Sequence, residues 1–66
     1  MAMKYRDVRI ALEAAGWSPV RTRGSHEVWA HPADQNRIVV SGKQRDTVPA
    51  GTLASLRRAS GLEHLR

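Results

Sequence analysis

The sequence predicts an α+β domain in the order helix, three strands, helix, and three observations predict it. Apolar residues recur at helical spacing near both ends of the 66-residue chain. Between about positions 17 and 41 that period gives way to short runs of strand-favouring residues. The links between those runs are of hairpin length, so the three strands form an antiparallel sheet. Two amphipathic helices in so short a chain need one apolar surface, which places both on the same face of the sheet. The other face and its loops are left for a partner.

The first helix is expected from Lys4 to Ala15. Tyr5, Val8, Leu12 and Ala15, with Ala11 beside them, draw one stripe, and Ile10 falls outside it. Gly16 supplies the exit. Trp17-Ser18-Pro19-Val20-Arg21-Thr22-Arg23 suits an edge strand, because its proline has no N–H to give a second neighbour. Arg23-Gly24-Ser25 is a tight-turn signal. His26 to His31 is the second strand, and the pattern leaves open whether Val28 or Trp29 faces the core. Pro32-Ala33-Asp34-Gln35-Asn36 reads as a loop by composition, and Arg37 to Ser41 as the third strand. Ser41 to Val48 is polar. The last helix starts near Pro49, where proline costs no intrahelical donor. Leu53 and Leu56, with Ala59 or Ser60, face inward, Gly61-Leu62 forms the cap and its apolar contact, and Glu63 to Arg66 is a frayed tail. Trp17 and Trp29 belong to the core, since the chain has little else large to bury. Residues 1–66 form one domain without internal repeats.

Eleven Lys and Arg stand against six Asp and Glu, for a formal net charge of +5 and a sequence pI near 11.2. Such an excess favours a polyanionic partner, because neutralising phosphates releases condensed counterions. Charge alone does not separate RNA, DNA, a membrane surface and an acidic protein. Without cysteine there is neither a disulfide framework nor a thiolate metal site. The first residues lack the apolar core of a signal peptide, and no apolar run is long enough to cross a bilayer. The chain therefore reads as cytoplasmic. A domain of this size buries only about 60% of its unfolded surface, so function belongs on a surface or in a shallow groove.

Gly24-Ser25-His26 is the stretch that carries chemistry. A glycine turn brings backbone N–H groups close to an anion, and the serine hydroxyl adds a donor. Arg21 and Arg23 precede it. His26 follows at the mouth of a strand, and a histidine, with an ordinary pKa near 6.5, can take and return a proton at neutral pH. On RNA this arrangement suits removal of a 2′-hydroxyl proton, with cations stabilising the charge that develops on phosphorus. The same tripeptide is also ordinary turn chemistry. Lys43 and Arg45 in the polar loop are further phosphate-contact candidates, as are Arg57 and Arg58, whose alternative is a solvated helix face. His31 reads as a strand-end residue and His64 as incidental. Three scattered histidines with Asp34 and Asp46 in separate loops have no metal-ligand spacing, so no metal is expected. No glycine pattern for a nucleotide cofactor is present either, and no cofactor is expected.

Taken in order, Ala14-Ala15-Gly16-Trp17, Val20 to His26, His31-Pro32, Arg37-Ile38-Val39-Val40, Asp46, Pro49 to Leu53 and Ala59-Ser60-Gly61-Leu62 resemble the HicA family of bacterial toxins. The resemblance spans almost the whole chain. It implies a fold like that of the double-stranded-RNA-binding domain, an mRNA interferase activity, and a HicB-like antitoxin that covers the active face. The family's catalytic histidine matches His26. The sequence departs from the pattern in two places. Glu27 stands where many relatives have a second histidine, and Ser41-Gly42-Lys43 stands where many have proline and then histidine. The resulting expectation is a metal-independent endoribonuclease with His26 as general base. Gly24 and Ser25 shape the phosphate contact, and Arg21, Arg23, Lys43 and Arg45 serve as electrostatic partners. Two rivals remain at this point. One is a non-catalytic RNA-binding module, and the other a protein-interaction subunit active only in a promoter-repressing complex with its antitoxin.

Overall fold

The computed structural model describes residues 2–65. Helix α1 spans Tyr5–Ala14, strands β1, β2 and β3 span Ser18–Arg23, His26–His31 and Asp34–Ser41, and helix α2 spans Ala50–Ser60. The strands form an antiparallel sheet in the order β1-β2-β3, so the proline-bearing β1 is at an edge. The architecture is the α+β order that the sequence predicts and the double-stranded-RNA-binding-domain-like arrangement that the resemblance implies. Trp29, Ile38 and Val40 from one sheet face meet Tyr5, Val8 and Leu12 of α1 and Leu53 and Leu56 of α2, with Trp17 and Val48 alongside. Both helices thus share a face. Trp29 is the inward member of its pair, at 1% exposure, and Val28 lies on the opposite side.

Two expectations fail. Asp34, Gln35 and Asn36 are not loop but the start of β3, and only Pro32-Ala33 turns the chain. From Trp29 to His31 two steps of β2 stand against four of β3, from Ile38 down to Asp34. The irregularity absorbs the extra polar residues, and the Asn36 N–H finds a partner in Asp34 Oδ1 at 2.8 Å. The tail is docked instead of frayed as far as Leu65, while Arg66 lies outside the described residues. Leu65 is fully buried. Its N–H donates to Leu62 O at 3.2 Å, and Arg57 Nη1 donates to Leu65 O at 2.9 Å. A lone leucine in a polar tail has no periodicity to announce it, yet a core this small recruits it. Arg57 is thereby a structural residue and not part of a free basic face.

The polar segment after β3 is also fixed. The first two N–H groups of α1, which have no intrahelical acceptor, donate to loop carbonyls: Tyr5 to Asp46 at 3.0 Å and Arg6 to Gln44 at 3.1 Å. Lys4 pairs with Thr47 in an isolated bridge. The helix start and the loop that carries Lys43 and Arg45 therefore hold each other in place. Ser60, the residue left open with Ala59, turns its hydroxyl back to Leu56 O at 2.7 Å, and Gly61 caps α2 with a left-handed backbone.

Candidate functional site

The β1–β2 hairpin closes with only two residues. Gly24 takes φ +60° and Ser25 keeps a negative φ, the pattern of a type II′ turn, in which the first position requires glycine. Arg23 and His26 are the closing pair. Residues opposite one another in an antiparallel sheet point to the same face. Arg23 stands beside His26, and His26 in turn faces Ser41 on β3. The next row is Arg21, Val28 and Val39. All of these lie on the face away from the helices.

That face holds a shallow groove of about 650 Å³ lined by Arg21, Thr22, Arg23, His26, Val28 and Val39. The trough continues along Val20, Arg21, Val28 and Arg37. His26 is exposed, and its ring has no hydrogen-bond partner among the described residues. The same holds for the Arg21 and Arg23 guanidinium groups. Three predicted site residues are therefore brought together: Arg21, Arg23 and His26.

The other predicted residues are placed elsewhere. Gly24 and Ser25 line a second groove with Lys43, on the far side of the hairpin tip, together with Arg9, Glu27, Gly42 and Gln44. Arg45 is exposed in the loop after β3 and lines neither groove. The hairpin tip is thus a wall between two basic surfaces and not one cradle. Among the described residues, no three His, Asp or Glu side chains converge.

The second groove is organised by a residue that the helical stripe concealed. Arg9 lies four residues after Tyr5 and three before Leu12, on the apolar side of α1, and is 9% exposed. Its Nε donates to Glu27 Oε1 at 2.7 Å, Nη1 to Gln44 Oε1 at 2.8 Å and Nη2 to Gly42 O at 2.7 Å. The indole N–H of Trp29 donates to the same Glu27 oxygen at 3.1 Å. The guanidinium also lies 5.8 Å from the Tyr5 ring centroid. Gly42 can take this position because it has no Cβ, which would fall into the Tyr5 ring. The position of Arg9 on the apolar stripe was the available signal. Charged residues on such a stripe are buried only when paired.

His31, at the other end of β2 from His26, is fully committed. Ala33 N–H donates to Nδ1 at 2.9 Å, so that nitrogen carries no proton. Nε2 is then the protonated one and donates to Ala15 O at 2.9 Å. The ring stands edge-on to Trp17 at 5.3 Å, and a Cβ on Gly16 would come within 2.8 Å of Nε2. Its role is packing, as its strand-end position suggested.

With this geometry in view, comparison with known families is decisive. A family model described as the HicA toxin of bacterial toxin–antitoxin systems matches residues 5–62, from the first residue of α1 to the leucine beyond the α2 cap. The chain belongs to the HicA toxin family. No curated protein matches the sequence. The match to the HicA model includes both grooves, and the two departures from the HicA pattern have a structural account. Glu27 is the cross-strand neighbour of Val40 on the helix side, bound to Arg9 and Trp29, so it neither orients His26 nor faces its groove. Lys43 lines the groove beyond the hairpin tip, while Ser41 is the residue opposite His26.

Proposed function

We propose that this HicA-family toxin is a metal-independent endoribonuclease that cleaves messenger RNA in the cytoplasm, with His26 as general base. A HicB-like antitoxin neutralises it by covering the same sheet face. The observation that carries this reading is the contrast around His26: a solvent-open imidazole that, like Arg21 and Arg23 on the same groove, has no partner among the described residues. A histidine so placed can reach a hydroxyl on a bound strand, and solvent can carry its proton away.

In the reaction, His26 takes the proton of a 2′-hydroxyl, and the 2′-oxygen bonds to the neighbouring phosphorus. The bond from phosphorus to the 5′-oxygen breaks, and that oxygen takes a proton from solvent. The products are a 2′,3′-cyclic phosphate and a free 5′-hydroxyl. Arg21 and Arg23 stabilise the charge on the non-bridging oxygens. The scheme calls for no metal, because histidine supplies the base and arginine the positive charge. Gly24, Ser25 and Lys43 add phosphate contacts where the strand passes the hairpin tip, and Arg45 adds to the local field.

The test is cleavage of RNA by the purified wild-type chain and by His26→Ala. Removing a positioned base lowers the rate by roughly 10²–10⁴, with melting temperature and RNA affinity retained because the exposed ring makes no hydrogen bond among the described residues. The wild-type fragments carry 2′,3′-cyclic phosphate ends. Equal cleavage by both proteins overturns the assignment of His26. Bound but intact RNA with the wild type favours the non-catalytic module.

A further inference from the structure

The open sheet face combines two features that a general phosphate-binding surface does not need together. Its cations, Arg21, Arg23 and Arg37, flank a floor of valines, and Val20 and Val39 are 59% and 54% exposed. Val28 and Val39 are direct cross-strand partners, one row along from His26 and Ser41. Two residues along a strand span about 6.8 Å, close to the reach of one nucleotide from its phosphate to its base. Among the described residues that line the groove none is a carboxylate, and Glu27, the acidic residue of β2, is turned to the helix side.

Resting on the ribonuclease reading, we propose that the Val28–Val39 pair is the floor on which a base of the scissile nucleotide lies while its phosphate meets Arg23 and His26. The substrate is therefore unpaired RNA. Apolar side chains can touch the face of a base only when that base is out of a helix. A duplex offers backbone and groove edges instead, and single-stranded segments can splay their bases. The arginines supply the complementary charge for a polyanion, and the valines exclude water from the face of the base. The reaction has the same requirement, since the 2′-oxygen must come into line with the leaving 5′-oxygen, which the regular A-form helix prevents. An aliphatic floor makes no hydrogen bonds to base edges, so it selects unpaired bases with weak preference among them.

The experiment measures affinity, which separates this proposal from catalysis. A short 2′-O-methyl RNA, which cannot be cleaved by this route, is titrated as a single strand and as a duplex with its complement, at one salt concentration. The wild type is compared with Val39→Ser and Val39→Leu. Val39 is exposed, so both variants fold, and melting curves verify it. The proposal expects tighter binding of the single strand than of the duplex. Val39→Ser loses roughly three- to tenfold of single-strand affinity, on the scale of the apolar surface removed. Val39→Leu keeps that affinity, and duplex binding is the same in all three. Duplex bound as tightly as single strand, unchanged single-strand binding by Val39→Ser, or no binding of either RNA overturns the proposal. Single-strand preference without cleavage of unmodified RNA leaves the base floor standing and defeats only the ribonuclease reading.

Discussion

His26 and His31 stand at opposite ends of the same six-residue strand and differ in everything except chemistry. His31 has both ring nitrogens engaged at 2.9 Å, is partly buried, and packs against Trp17. His26 is exposed and its ring has no internal partner among the described residues. The same difference separates the two faces of the sheet. On the helix side, Arg9, Glu27, Gln44, Trp29 and the Gly42 carbonyl satisfy one another. On the open side, Arg21, Arg23 and His26 are left with solvent. Polar groups that the fold needs have already found partners inside it. Groups kept unpaired on an ordered strand remain free for a ligand, at the cost of no internal bond.

Several substitutions sharpen that comparison, and the largest effects belong to the helix side. Leu65→Ala removes a fully buried side chain, and truncations of this kind cost about 2–5 kcal/mol. In so small a domain that lowers the thermal midpoint by roughly 10 °C or more, and a midpoint near wild type would return the tail to the frayed state. Next comes Arg9→Met, which leaves Glu27 partly buried without its cation. A loss of about 1–3 kcal/mol is expected, together with faster amide exchange in the loop carrying Lys43, whose neighbours Gly42 and Gln44 it releases. Exchange unchanged there would mean that the α1 start alone holds the loop.

Gly16→Ala tests the packing of His31 from outside the ring. Gly16 has φ +97° and no room for a Cβ beneath Nε2. The strain of a left-handed alanine alone is about 1–2 kcal/mol, visible as a lower denaturation midpoint. The smallest effect belongs to the open side. Arg23→Gln leaves the melting curve in place, lowers RNA affinity severalfold, and reduces the slope of log affinity against log salt by about 0.7 for a single strand. A slope equal to that of the wild type would remove Arg23 from the contact.

Much of this division was legible in the sequence because it follows from periodicity. The α1 stripe, the proline-marked edge strand, the Gly24-Ser25 turn and the Gly61 cap are local signals, and each stands where it was expected. What escaped depends on contacts distant in sequence. Arg9 lies on the α1 stripe, but the partners that satisfy it, Glu27, Gln44 and Gly42, are 18 to 35 residues away. Leu65 reads as tail until the folded core recruits it. The parity of Val28 and Trp29 cannot be read from β2 alone, because both are apolar; the helices on one side decide it. The site was half legible for the same reason. Adjacent residues suggested one cradle, but alternation along the strands sends His26 and the Gly24-Ser25 tip to different grooves.

The most direct test of the account measures cleavage and thermal unfolding on one pair of variants, His26→Ala and His31→Ala. Opposite outcomes are expected for the two histidines. His26→Ala melts with the wild type and loses cleavage, whereas His31→Ala melts earlier and still cleaves RNA below its midpoint. Wild-type cleavage by His26→Ala, or lost cleavage by a fully folded His31→Ala, would contradict it.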